Sequence, residues 1–370
     1  MDKIMLCIRG FFESKAIKRL VYFSFFWIIA SATFNGTIAK YGLMDGCSKF
    51  GIEKIVDGSA HRPFVYRQLL PQIAKMAERN VDAIITCKAE VLADEIASSY
   101  AKTKLSDKDP SYKFIWLIVY GLAFLSLFFG LILIHKILLE FSIDYHVSLL
   151  AVAIFSLSIP YLQTPYVGFY YDYSELFFIS AVILLALRKR LTYLVFLPLT
   201  AIATLNKETF TFFIPTLYPF IRQNNSLRKT LTTLGTAALL SCCINILLKV
   251  NYSHNPGGSA ELHLFGNIRH YLSPEYYFKF FWTYGTPSPR GANILVIIVL
   301  GYLLFKSWRH LDQKIKMHAK IATAITLPLF LVLCETGELR NLSFLYITLV
   351  LLIALAIKRP LDSANTFSAK

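Results

Sequence analysis

Asn206, Lys207, Glu208 and Thr209 make a charged break between two apolar runs. Ionisable groups at bilayer depth are costly and persist mainly where they line a polar cavity, so this pair is the first candidate for chemistry. A lysine can hold a phosphate as a point charge and an arginine through a planar fork. A neighbouring carboxylate can take a proton from a hydroxyl. Three other stretches carry the same residue types. The first holds Asp45, Glu53, Asp57 and the run His61 to Pro71, with Arg62 and Arg67; the second holds Tyr170, Tyr171, Asp172, Tyr173, Ser174 and Glu175; the third holds Glu335, Glu338 and Arg340.

Each group also has a plainer reading. Lys207 and Glu208 could neutralise one another. Asp172 and Glu175 could sit in a first helical turn, favoured by the helix dipole. Glu338 and Arg340 could form a salt bridge at a membrane boundary, Arg62 and Arg67 could snorkel to headgroups, and Asp45, Glu53 and Asp57 could be solvated loop residues. His254, His263 and His270 match no metal spacing, so no metal site is assigned. Cys47 and Cys87 share one loop and could pair if it faces an oxidising compartment.

The elements that position these residues are membrane spans. The 370 residues are 55% hydrophobic and only 16% charged, well below the roughly 25% of soluble domains. The expected fold is all-α and polytopic, one integral membrane domain over 1–370. Apolar runs place about ten transmembrane helices at 20–38, 114–134, 146–163, 174–187, 191–205, 209–221, 230–249, 292–306, 319–334 and 341–357. The net charge of +15 is spread in short clusters between these runs, which excludes a nucleic-acid-binding face and reads as topology. Every second boundary is basic, so both termini are expected in the cytoplasm. Two large extracytoplasmic loops follow, at 39–113 and 250–291. In the first, Val65 to Met76 and Ala89 to Ala101 have the spacing of amphipathic helices.

The 31 residues between Arg190 and Arg222 would span about 46 Å as one helix, too long for a core of about 30 Å and too short for two full crossings. Two short helices meeting at Asn206 to Thr209 fit, with the apex below the outer surface in a polar recess. Every polar motif then falls on the outer side. The inventory suits transfer of a glycosyl group from a lipid phosphate carrier.

This arrangement resembles the polytopic glycosyltransferases of the GT-C class. The set Arg62 to Arg67, Asp172, Asn206 to Thr209 and Glu338 to Arg340 also looks like a group of bacterial membrane proteins associated with surface-polysaccharide synthesis. The resemblance implies a lipid-linked sugar donor, a glycan or protein acceptor, contact with membrane lipid, and a place in the bacterial inner membrane. It also implies an acidic residue early in the first loop, best matched by Asp45, with Asp57 as second choice. Arg67, Lys207 and Arg340 are expected to bind the carrier phosphate, with Asp45 or Asp172 as base. Arg62, Tyr171 and Glu175 complete the substrate-binding set. Glu208 and Glu338 would orient the cations, or bind a divalent ion if one is needed; no cofactor is otherwise assigned. A transporter or flippase of an anionic lipid-linked glycan would use the same charges, as would a surface-glycan polymerase or ligase. Transport predicts a charged path into the cytoplasmic half, and an enzyme predicts a one-sided cluster.

Overall fold

The computed structural model describes residues 14–39, 42–43, 47–100, 105, 107–163, 169–258, 260–283, 286–289 and 291–368. Asp45 lies outside them. The chain is an all-α membrane protein with one short hairpin. Among the described residues, seven helices have the length and apolar composition to cross a bilayer. They are α1 (Lys15–Ile38), α5 (Pro110–Glu140), α6 (Tyr145–Leu162), α7 (Tyr170–Leu187), α11 (Leu227–Asn251), α14 (Gln313–Leu333) and the stretch Leu339–Lys358, whose main part is α15 (Tyr346–Ser368). Short helices α2 (Ile52–Val56), α3 (Leu69–Glu78) and α4 (Ala83–Ser98) fill the first loop.

The remaining three apolar runs fold as shorter pieces. α8 (Tyr193–Asn206) has 14 residues, and α13 (Ile294–Ser307) has 14. Between them, α9 (Phe210–Phe213), a 3-10 turn (Ile214–Leu217) and α10 (Tyr218–Arg222) form one broken arm. At about 21 Å each, α8 and α13 are shorter than a hydrocarbon core of about 30 Å.

α8 and the broken arm form the expected hairpin. Side-chain bonds to α11 fix its direction. Near the base, Thr233 meets the Tyr193 hydroxyl at 3.1 Å; higher up, Ser241 meets Thr204 at 2.7 Å and Thr211 at 2.6 Å; Asn245 donates to the Glu208 carbonyl at 3.2 Å. The apex thus sits level with Asn245, six residues short of the end of α11, or about 9 Å below it.

α7 is the central post, with 15 of its 18 residues buried. It packs most extensively against α5, while α1 lies across α5 and α6. Thr37 on α1 meets the Tyr173 hydroxyl at 2.5 Å, joining that outer helix to α7. A helix apolar on all sides belongs in the interior of a bundle. The charged residues of α7, Asp172 and Glu175, are confined to its first two turns, which gives the post a charged end.

α5 begins on an Asp109 cap that accepts from the Tyr112 N–H at 2.8 Å, with Pro110 at the first helical position. Its 31 residues reach about 46 Å, so its first turns stand clear of the core. α3 and α4 pack on those turns, and Lys113 binds Glu90 at 3.0 Å and Asp94 at 2.7 Å on α4. The loop helices therefore cap the bundle. The more N-terminal of them starts at Leu69, after a 3-10 turn at Phe64–Tyr66, where Val65 was expected.

The second loop holds α12 (Leu264–Tyr271), a 3-10 turn (Pro274–Phe278) and the antiparallel strands β1 (Phe280–Thr283) and β2 (Thr286–Pro289), paired Phe280 to Pro289. The two loops interlock. The Arg62 N–H donates to the Pro256 carbonyl at 2.9 Å, and Asn255 donates to the carbonyls of Gly58 and Ala60 at 2.7 and 2.9 Å. Gly257 has φ +91°, and a Cβ there would lie 2.6 Å from the Arg62 carbonyl oxygen, so only glycine fits the crossing. Cys47 and Cys87 are both free thiols.

Candidate functional site

Four separate stretches meet at the charged end of α7. α7 contributes Tyr171, Asp172 and Glu175 from its first two turns. The hairpin contributes Lys207 and Glu208. Asn206 ends α8, and Lys207 turns extended at φ −156°, ψ 125°. Asn206 holds this turn against α7, donating to the Tyr171 carbonyl at 3.0 Å and accepting from the Ser174 hydroxyl at 2.5 Å. The first loop contributes Arg67, which follows the 3-10 turn and hands its carbonyl to the Tyr170 hydroxyl at 3.0 Å. The segment after α14 contributes Glu338, Arg340 and Asn341.

These groups form an ion network in two parts, a chain of five residues and, beside it, a separate ion pair. Lys207 Nζ lies 3.0 Å from Asp172 Oδ1 and 2.8 Å from Glu175 Oε2. Arg340 binds Asp172 Oδ2 at 2.7 Å and Glu338 Oε1 at 3.1 Å. Thr209 closes one end by donating to Glu175 Oε1 at 3.1 Å, and Asn341 closes the other by donating to Glu338 Oε2 at 2.8 Å. Arg67 forks onto Glu208, Nε to Oε2 at 3.3 Å and an Nη to Oε1 at 3.0 Å, and also donates to the Tyr171 hydroxyl.

Aromatic rings separate the two arginines. The Arg67 guanidinium lies 4.2 Å from the Tyr171 ring centroid, and Arg340 lies 4.2 Å from that of Phe169. Phe169 and Tyr171 stack on each other at 5.2 Å. Each cation thus meets a ring face, the negative part of an aromatic quadrupole.

Asp172 and Glu175 stand three residues apart on α7, so both face one side and share Lys207. Lys207 therefore pairs with α7, and Glu208 pairs with Arg67, in place of neutralising one another. Burial alone would raise the Glu208 carboxyl. The adjoining Arg67 charge and hydrogen bonds outweigh it and hold the group below its ordinary value. Burial likewise works against the Arg67 charge, and Glu208 reverses this so that the guanidinium is held charged. The pair's contribution to stability is then complete above the unfolded-chain carboxyl pKa and is lost as pH falls through the lower folded value. Acid scans of thermal unfolding in detergent should show the gap between the wild type and Glu208→Gln narrowing as pH falls. A constant gap across the acid range would count against the pairing.

Arg62 stands apart from the network, donating to the Gly257 carbonyl at 2.5 Å. Of the residues expected to bind substrate, it is the one that lies at the crossing of the two loops. Asp172 has both oxygens engaged by cations, Oδ1 by Lys207 and Oδ2 by Arg340, and so orients the two. Glu208 and Glu338 turn their oxygens to different arginines, and among the described residues no three His, Cys, Asp or Glu side chains gather into a metal-holding group. The donor set does not fit a divalent ion bridging these two carboxylates.

Phe169, Asn206, Thr209 and Asn341 also belong to the site. Asn206 and Thr209 flank the charged pair in sequence, Phe169 opens the aromatic run before Asp172, and Asn341 directly follows Arg340, so adjacency signals all four.

The network is closed. The voids against it measure about 10 Å³ beside Asp172, Arg340 and Gln163, and about 70 Å³ beside Glu175, Lys207 and Asn341. Beside it runs an apolar groove of about 570 Å³ between α13, α14 and α15. Its walls include Leu300, Leu304, Trp308 and Lys320 at one end and Leu339 and Tyr346 at the other. Tyr346 also lines the void beside Arg340, so groove and network share a wall. A polar recess of about 500 Å³ among Glu140, Gln223, Asp312 and Lys314 lies at other helix ends and shares no residue with the network.

No family model, curated protein or solved structure matches this chain.

Proposed function

We propose that the protein is a membrane glycosyltransferase of the GT-C kind, moving a sugar from a polyprenyl-phosphate carrier to a cell-envelope acceptor. The observation that carries this reading is the one-sided ion network with an apolar groove ending on its wall. A groove of that shape suits an isoprenoid chain, and the arginine end suits its phosphate. The donor phosphate would displace Glu338 from Arg340 and Glu208 from Arg67, while Asp172 and Glu175 keep Lys207 in place. A base takes the acceptor hydroxyl proton, the oxygen bonds to the anomeric carbon, and the bond from that carbon to the phosphate oxygen breaks, releasing the polyprenyl phosphate. Asp45 is our choice of base, because Asp172 is held by two cations.

The hairpin arms and α13 complete ten passes in this reading, with both termini cytoplasmic and the network on the outer side of the bacterial inner membrane. Transport would need charged groups along the length of the bundle. Two further ion pairs of the helical bundle, Arg188 with Glu140 and Lys358 with Asp144, sit at the far helix ends. The α7 axis between the two levels is about 27 Å long. The buried His135 and His318 between them are bonded to Ser148 and to the carbonyls of Thr216 and Phe344.

The test is transfer from polyprenyl-phosphate sugars by purified protein in liposomes. Arg340→Ala and Arg67→Ala are expected to lower turnover at least a hundredfold, on the order of the loss when one charge-stabilising donor is removed. Carrier movement across the bilayer with no transfer from any donor would sink the proposal.

A further inference from the structure

α12 is built inside out for a helix in water. Its buried residue is polar: Asn267 donates to the carbonyls of Leu331 and Cys334 at 2.9 and 2.8 Å, and accepts from Thr336 at 2.7 Å. The His263 N–H adds a bond to the Val332 carbonyl at 2.8 Å. These fix the helix to the C-terminal end of α14. Its apolar residues point the other way, with Phe265 86% exposed and Ile268 also exposed, followed by Leu272 at 78%. The outward set continues through Phe278, Phe280 and Trp282 on the 3-10 turn and β1. Surface helices of soluble proteins show the opposite arrangement.

Two further observations identify what covers this face. It leads directly into α13, whose Leu295, Ile297, Ile298 and Val299 are exposed, and Asn293 at the start of α13 donates to the Lys279 carbonyl at 2.7 Å, tying the hairpin to that helix. α13 is also about 9 Å short of the hydrocarbon core, so something ahead of it must supply the remaining apolar depth. The two-stranded hairpin sets a limit on that depth. The sheet has two strands, so neither outer edge has a neighbouring strand, and open sheet edges are not tolerated in hydrocarbon but find water and headgroup partners at the interface. Phe and Trp side chains are suited to that layer.

We infer that residues 262–282 lie in the interfacial layer of the bilayer, on the leaflet at the network's end, with the outward face of α12 and the β1 aromatic residues inserted among the lipid chains. The segment is part of the membrane-embedded surface and makes up the thickness that α13 lacks. Arg269, Glu275 and Lys279 are exposed along it and reach to the headgroups, carrying one net positive charge between them. This inference is independent of the glycosyltransferase reading.

The test uses the full-length protein in phosphatidylcholine vesicles, and Trp282→Phe, a change at an exposed side chain. The difference between their emission spectra isolates Trp282 from the other tryptophans. In vesicles whose lipids are brominated near the headgroup end of the acyl chain, that difference signal is expected to fall by at least half, and by less when the bromines sit at the chain terminus. It should also be blue-shifted and resist aqueous acrylamide. A signal quenched by acrylamide and by no brominated lipid would place Trp282 in water and overturn the inference. A signal protected from both would assign the face to a protein partner or a second copy, which would overturn it equally. Phe265→Trp in the Trp282→Phe protein repeats the measurement on α12 itself, with the same outcomes.

Discussion

Lys207→Met is expected to lower stability by about 3–5 kcal/mol, because it strips the shared cation from two buried carboxylates. The companion change Glu175→Gln is expected to leave stability within about 1 kcal/mol of wild type, or to raise it. The asymmetry follows from the charges in the network. Four carboxylates, Asp172, Glu175, Glu208 and Glu338, face three cations, Arg67, Lys207 and Arg340. With every group ionised the network carries one net negative charge. Within it, Glu175, Lys207, Asp172, Arg340 and Glu338 form a chain with a carboxylate at each end. Removing the lysine takes the chain further from neutrality, whereas neutralising Glu175 brings it to balance and leaves an amide oxygen able to accept from Lys207. The side chains of Lys207 and Glu175 are 3% and 4% exposed, so solvent screens neither change appreciably. Thermal unfolding in one detergent at neutral pH reads the comparison. The double change Lys207→Met with Glu175→Gln should recover part of the loss. Equal losses in the two single variants would show that packing, and not charge, dominates there.

Arg67→Lys is expected to cost about 2 kcal/mol although it keeps the charge, and Arg67→Ala about 3 kcal/mol or more. Lysine cannot fork onto both oxygens of Glu208 while also donating to the Tyr171 hydroxyl, and it loses the planar stack on the Tyr171 ring. Arg67 is where the first loop is fastened to the membrane bundle. Its substitution should therefore also expose that loop to protease, seen as faster nicking in the 47–67 stretch at a temperature where the bundle remains folded. Unchanged nicking together with an unchanged unfolding midpoint would remove Arg67 from this role.

The apolar runs were legible because bilayer thickness and helix rise impose a strict length. Even the shortfall between Arg190 and Arg222 was legible, since a segment that fits neither one crossing nor two must fold back. Asp172 and Glu175 were legible as one face of a helix by their spacing. Partner choice was not. Lys207 and Glu208 are neighbours in sequence, yet an extended Lys207 sends their side chains to different elements, and Arg67 lies 141 residues from Glu208. Arg62 and Arg67 share one irregular stretch where no periodicity tells which points inward. The second loop was legible as aromatic and turn-rich, but its polar-side-in helix was not, because periodicity alone does not say which face is buried.

The position of the network along the chain bears on how the protein is made. Asp172 and Glu175 are synthesised well before Lys207, and the guanidinium that completes Asp172 arrives 168 residues later. Until Lys207 follows, the charged end of α7 has no partner for its two carboxylates, and Asp172 lacks its second cation until Arg340 arrives. The helix must wait beside α5 with that end at the aqueous boundary, and it settles as the central post only when the hairpin and then residue 340 are in place. Closure of the network is thus a late event in assembly. A chain stopped before Arg340 should leave α7 accessible to aqueous reagents at its first two turns, even with all the helices of its own half already inserted.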